Sequence, residues 1–109
     1  MLIEFAKRQI LLCGDIEQPV QQRLINSYPD LNPDVIIAPH HGSKNSLHKN
    51  FLKELSPEYV ICSCGYSSYT HNRVINGENT NAKIVYTAAS GAVTVTIDPQ
   101  GKIKLNCFK

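Results

Sequence analysis

Long apolar runs, tryptophan and a large charge of either sign are what this sequence lacks, and each absence removes a class of function. No apolar stretch approaches the roughly 20 residues of a membrane span, and the start Met-Leu-Ile-Glu has neither the basic nor the long apolar region of a signal peptide. The expectation is a cytoplasmic, soluble domain that makes no membrane contact itself. The formal net charge of +2 is too small to argue for nucleic-acid binding on its own. Basic residues are scattered, tryptophan is absent and no nucleic-acid-binding motif occurs, so nucleic-acid binding without chemistry has little support. There is no internal repeat and no low-complexity tract.

What is present is the composition of one globular domain. The chain has 109 residues, 42% of them hydrophobic and 18% charged, which allows a modest core and argues against disorder. Four cysteines, Cys13, Cys62, Cys64 and Cys107, admit two disulfides or a zinc site. Three lie in apolar strand-like runs, and buried reduced thiols are the simpler reading, which also points weakly to the cytosol.

Leu2–Ala6 and Ile10–Cys13 flank Lys7-Arg8-Gln9 and read as a β-hairpin with a three-residue loop. Asp15 is then expected to open a helix with Pro19 in its first turn and Val20, Leu24 and Tyr28 on one face. Pro29 and Pro33 end it. Val35–Ala38 is a continuous apolar run, as in a strand buried on both faces. Ser46 is placed to cap a helix carrying Leu47, Phe51, Leu52 and Leu55, which Ser56-Pro57 stops; His48 falls on its surface. Tyr59–Cys64 reads as the third core strand. The polar stretch Gly65–Ala82 reads as a loop around a short helix near Asn72–Ile75. Lys83–Thr87, Ala92–Ile97 and Lys102–Phe108 are expected to complete the sheet, with Asp98-Pro99-Gln100-Gly101 as a turn. The fold class is therefore α/β, with a mixed sheet and two to three helices.

Two of these strands stop at residues that ligate metals: Cys13-Gly14-Asp15 ends one, and Pro39-His40-His41-Gly42-Ser43-Lys44 ends the next. Carboxyl ends of parallel strands are where open α/β sheets gather their chemistry. In order along the chain, Leu11–Glu17, Asp34–Lys44, Tyr59–Gly65, Tyr69-Thr70-His71 and the tail from Gly91 resemble the metallo-β-lactamase-fold hydrolases of the ComEC competence-protein type. The resemblance covers nearly the whole chain. It implies half of an αββα sandwich, with residues 1–109 as one partial domain.

It also implies roles. Asp15 matches the aspartate that bridges two metal ions, and one of His40 and His41 matches the late metal-binding histidine; adjacency does not decide which. Asp15, His40 and His41 are thus the expected metal ligands, for zinc or manganese in a two-metal site. His71 matches the histidine of a Tyr-Gly-His-Pro-like motif near the leaving group, although Thr70 and Asn72 depart from that motif. Ser43 and Lys44 are candidate substrate contacts. The residue-level alternative makes Asp15 a helix N-cap and the His40-His41 turn a polar surface turn.

The family's His-x-His-x-Asp-His loop is missing: the four histidines, His40, His41, His48 and His71, form no such pattern. With Met1 one strand ahead of Gly14-Asp15, the chain reads as the C-terminal half of a catalytic domain, a hydrolase of phosphodiester or nuclease type that is weak or inactive without its other half. In the resembled proteins that domain sits beside a membrane channel for DNA uptake. The expected partners are the missing N-terminal half or a second copy, with a nucleic acid or other phosphodiester as substrate. The competing reading is a non-catalytic interaction module or degenerate relative that dimerises through its sheet face.

Overall fold

The chain opens with a hairpin whose turn is tighter than the sequence suggests. In the computed structural model, which describes residues 1–108, β1 (Leu2–Phe5) pairs antiparallel with β2 (Arg8–Leu12), and Phe5 lies opposite Arg8. The loop is Ala6-Lys7 alone, with φ of 50° and 65°. Two positive φ angles make a type I′ turn, whose twist matches that of the strands it joins. Arg8 and Gln9, predicted in the loop, are strand residues.

Three further strands, β3 (Val35–Ile37), β4 (Tyr59–Cys62) and β5 (Lys83–Tyr86), add in parallel, so the order in the sheet is β1-β2-β3-β4-β5. Right-handed crossovers that all step in one direction put their connections on one face. On that face Leu11, Ile36 and Val60 meet Ile25, Phe51, Leu52 and Leu55. Burial of each such side chain contributes about 1.5–3 kcal/mol. Val35 and Ile36 are both fully buried, as expected of an interior strand.

The helices differ in detail from expectation. α1 (Gln18–Ser27) has Pro19 in its first turn but is preceded by Glu17 as N-cap, so Asp15 does not cap it. Its buried residues are Gln21 and Ile25, whereas Val20 and Tyr28 are 41% and 62% exposed. Gln21 tolerates the interior because it is fully hydrogen-bonded. Its Nε2 donates to the carbonyls of Ile16 (3.0 Å) and Ser46 (2.8 Å), and its Oε1 accepts from the His48 N–H (2.7 Å). α2 (Phe51–Leu55) follows Asn50, not Ser46, which lies in a 3-10 turn at Lys44–Ser46; His48 sits between the two rather than on a helix surface. The next short helix is α3 (Tyr66–Thr70), not Asn72–Ile75. Val74 and Ile75 are instead buried, and Val74 bridges Ser43. Among the described residues there are one α-helix of 10 residues and three short ones.

The last two strands do not complete the sheet. After β5, α4 (Thr87–Ser90) and Gly91 at φ 76° carry the chain away from the sheet edge. β6 (Ala92–Ile97) and β7 (Ile103–Phe108) then pair only with each other. The turn at Asp98–Gly101 is as predicted: the Gly101 N–H donates to the Asp98 carbonyl, and Asp98 Oδ1 accepts from the N–H groups of Gln100 and Lys102. Arg8 ties this hairpin to the main sheet. Its Nε donates to the Gly101 carbonyl (2.7 Å) and its Nη1 to Asp34 Oδ1 (3.1 Å). By strand register Arg8 shares the face opposite the helices with the row Leu12, Ile37, Ile61 and Val85.

All four cysteines are free thiols. Cys13 and Cys62 are buried, as read from the sequence, but Cys64 is half-buried and Cys107 is exposed on β7. Burial pushes the Cys13 and Cys62 thiols from 9.0 up to about 12, partly offset at Cys13 by the N-terminal charge and reinforced at Cys62 by Cys64. A raised folded-state pKa gives stability that is complete below the unfolded value and lost as pH rises through the folded one. The Cys62→Ala variant should therefore lose melting temperature less steeply than the parent between pH 9.0 and about 12. In thiol titration at pH 8, Cys107 should react at once and Cys13 and Cys62 only on unfolding. Parallel melting curves or a prompt reaction at all four thiols would refute this burial.

Candidate functional site at the histidine turn

The carboxyl ends of β2, β3 and β4 lie side by side, and the chain leaves each through a stretch that touches its neighbour. The His40 N–H donates to the Gly14 carbonyl at 2.9 Å, which seats the histidine turn against the Gly14-Asp15 turn. His41 Nδ1 lies 2.8 Å from the Ser63 carbonyl, just past β4. The Ile75 N–H donates to the Gly42 carbonyl (2.9 Å) and the Lys44 N–H to the Arg73 carbonyl (3.0 Å). That ladder brings the His71–Arg73 loop alongside Ser43 and Lys44. Five of the six predicted site residues (Asp15, His40, His41, Ser43 and Lys44) thus fall on two hydrogen-bonded turns, and His71 on the adjoining loop.

The turn is held in an unusual conformation. His40 (φ 48°, ψ 46°), His41 (φ 58°, ψ 20°) and Gly42 (φ 84°) are three successive left-handed residues. For a residue with a Cβ this costs roughly 1–2 kcal/mol. It persists because the four contacts above and the Ser43 N–H to His40 carbonyl bond over-determine it. The consequence is that the neighbouring histidines diverge. His40 turns inward, its Nε2 buried without a hydrogen-bond partner and 3.5 Å from Glu17 Oε1. His41 is exposed and reaches Ser63.

The tautomers follow from the partners. A carbonyl only accepts, so His41 Nδ1 and His71 Nδ1, the latter 2.8 Å from the Ser67 carbonyl, each carry a proton. In the neutral imidazole that leaves the lone pair on Nε2. An imidazole oriented through Nδ1–H to a backbone carbonyl is the usual form of a histidine metal ligand. The orphaned Nε2 of His40 fits the same use. Asp15 is exposed on the adjacent turn. Among the described residues, however, no three His, Cys, Asp or Glu side chains converge on one point suited to a metal ion. The donors fit a divalent ion singly and do not by themselves close a site around one.

Several supporting residues carry no motif. Glu17 beside His40, Ser63 beneath His41, and Gln21, which fixes the chain after Lys44 to α1, are examples. Thr87 Oγ1 accepts from the Cys64 N–H (3.0 Å), and the Tyr86 hydroxyl donates to the Ile75 carbonyl (2.7 Å), so the end of β5 braces both loops. Burial raises the Tyr86 phenol above its ordinary value, with Cys62 and Tyr69 adding to the effect. Gln21 had a signal: it lies four residues before Ile25, and a polar side chain in a buried stripe has to be paired. A groove of about 390 Å³ between α2 and residues 77–82 shares no residue with the histidine turn.

Among the described residues, no helix is long and apolar enough to cross a membrane. No family model matches the chain, and no solved structure does. Two curated proteins are similar to it. ComE operon protein 3 of Bacillus subtilis (strain 168) is 36% identical over 62 residues, 57% of this chain and 8% of that protein. Competence protein ComA of Neisseria gonorrhoeae is 36% identical over 64 residues, 57% of this chain and 9% of its own length. The chain thus spans less than a tenth of the relatives it matches, and what it is similar to, over more than half of its length, is a ComE operon protein and a protein named for competence.

Proposed function

We propose that this chain is part of a metal-dependent hydrolase domain of metallo-β-lactamase type, acting on phosphodiesters in the context of competence and DNA uptake. The observation that carries the reading is the His40 N–H to Gly14 carbonyl bond, which sets an aspartate turn against a histidine turn at the carboxyl edge of a parallel sheet. The likeness to two competence proteins supports it. Asp15 with the Nε2 atoms of His40 and His41 would hold zinc or manganese, the remaining ligands coming from the half that carries the His-x-His-x-Asp-His loop. The chemistry such an ion supplies when bound is polarisation of a phosphoryl oxygen. His71, oriented by its Nδ1–H on the Ser67 carbonyl, would give the Nε2 proton of its imidazolium form to the leaving oxygen. Ser43 and Lys44 position the substrate beside the turn.

The test is metal content per chain on protein purified without chelator, beside Asp15→Ala. Sub-stoichiometric zinc or manganese on the parent, as an incomplete ligand set implies, reduced at least several-fold in the variant, is the expected result. Equal content in the two would remove Asp15 from the site.

The competing interaction module also has an observation in its favour. The open edge strand β1 exposes Leu2 (41%), Ile3 (43%) and Phe5 (52%), and apolar side chains on an unpaired edge favour pairing with another chain. A metal-free dimer in sedimentation would favour that reading.

A further inference from the structure

Lys44 and Arg73 stand opposite each other where two chain segments meet. The bridge Ser43–Val74 is antiparallel, flanked by the Lys44 N–H to Arg73 carbonyl bond and the Ile75 N–H to Gly42 carbonyl bond. One step along that ladder, Lys44 and Arg73 occupy facing positions. Like charges in directly opposed positions are destabilising. The ion pairs among the described residues are Arg8–Asp34 and His40–Glu17, so neither cation is neutralised by a carboxylate. Lys44 Nζ instead donates to Asn72 Oδ1 (3.2 Å), and Asn72 adopts a left-handed φ of 56°. Arg73 is exposed. Its backbone is pinned from both sides, by its own N–H to the Ser68 carbonyl (2.9 Å) and by its carbonyl to Lys44. Two cationic residues thus occupy facing backbone positions, next to the His40-His41-Gly42 turn, with Arg73 two residues from His71.

We propose that Lys44 and Arg73 form a phosphate-binding pair, in which the oxyanion supplies the charge that the fold leaves out. It holds a phosphate of the substrate strand next to the histidine turn. Guanidinium gives two parallel donors to such a group, and ammonium gives a point charge. The proposal deepens the phosphodiester reading and rests on it for the substrate class, but not on any bound metal.

The test is run in EDTA, so a failure of metal binding leaves its arms unaffected. Fluorescence anisotropy of a labelled single-stranded 20-mer is measured against salt for the parent, Lys44→Ala, Arg73→Ala and the double variant. Lys83→Ala, on β5, is the control. Each single change should weaken binding about 5–10-fold, and the double variant should lose about 0.7 of a unit of the log K against log salt slope, the contribution of one phosphate contact to a single strand.

Arg73→Glu separates binding from folding. It faces Lys44 with an opposite charge, so its melting temperature should equal or exceed the parent's while strand binding is lost. A second arm follows melting temperature with inorganic phosphate, which should stabilise the parent and not the double variant. Stabilisation by phosphate without strand binding would keep the pair as an oxyanion site and overturn the strand as its source. Unchanged strand affinity in the double variant, or no binding of either probe by the parent, would overturn the proposal.

Discussion

Gly42→Ala should lower the stability of this chain by about 3 kcal/mol, from two costs that add. The first is backbone: Gly42 has φ +84°, a region in which a Cβ costs roughly 1–2 kcal/mol. The second is space. A Cβ at this position would meet Cys62 Sγ at 2.5 Å and Cys62 Cβ at 2.9 Å. Cys62 is fully buried on a central strand and cannot give way, and overpacking of this kind costs roughly 1–3 kcal/mol. For a domain of this size each kcal/mol corresponds to about 4 °C, so the melting temperature should fall by roughly 10–15 °C. Cys62→Ala in the same chain should restore part of the loss, because it removes the nearer contact and leaves the farther one. A double-mutant cycle measures that coupling. A Gly42→Ala protein that melts with the parent would show that the histidine turn and β4 are not in close contact.

Gln21→Leu should cost about 2–4 kcal/mol, although it replaces a polar residue in a buried position by an apolar one of similar size. Leucine fills the volume but strands the three groups that Gln21 serves, the carbonyls of Ile16 and Ser46 and the N–H of His48. Each buried group left unpaired costs about 1–3 kcal/mol, lowered where water can enter. Because Ser46 and His48 follow the Lys44 segment, the loss should also loosen that segment, and hydrogen exchange at His48 should quicken first. Gln21→Glu gives a second reading of the same site. A carboxylate there would face two carbonyl oxygens, while a protonated carboxyl would donate to one of them. Its folded-state pKa is therefore raised, so this variant should be most stable below the ordinary glutamate pKa and lose stability as pH rises. Equal melting of the parent and Gln21→Leu would mean that the three bonds contribute nothing net.

What could be read from the sequence was what a single physical rule decides. Val35–Ala38 reads as a buried strand, and β3 takes up Val35–Ile37 of it. The Asp98-Pro99-Gln100-Gly101 turn, the Ser56-Pro57 stop and the burial of Phe51, Leu52 and Leu55 follow from local chemistry alone, and all four are present in the structure. The meeting of the Gly14 and His40 turns followed from the rule for parallel strand ends. What was not legible depended on partners distant in the chain. Nothing in Ala6-Lys7 favours positive φ; the pairing of β1 with β2 imposes it. Hydropathy chose Val20 and Tyr28 for the buried face of α1 over Gln21, whose three partners lie outside the helix. The departure of β6 and β7 from the main sheet turns on α4, where Thr-Ala-Ala-Ser carries no stop signal before Gly91. At the site, the divergence of His40 and His41 depends on three left-handed residues in a row, and only Gly42 among them announces such a conformation.

The identity between strand order in the sheet and strand order in the chain bears on how the protein is made. Each parallel strand that emerges during synthesis finds its neighbour already waiting at the growing edge, and no later segment has to wedge between two earlier ones. Entropy lost in closing each loop is confined to one crossover at a time. Assembly of this sheet can follow strand order, with the histidine turn taking its left-handed shape only after β4 has delivered Ser63 and Cys62 beneath it.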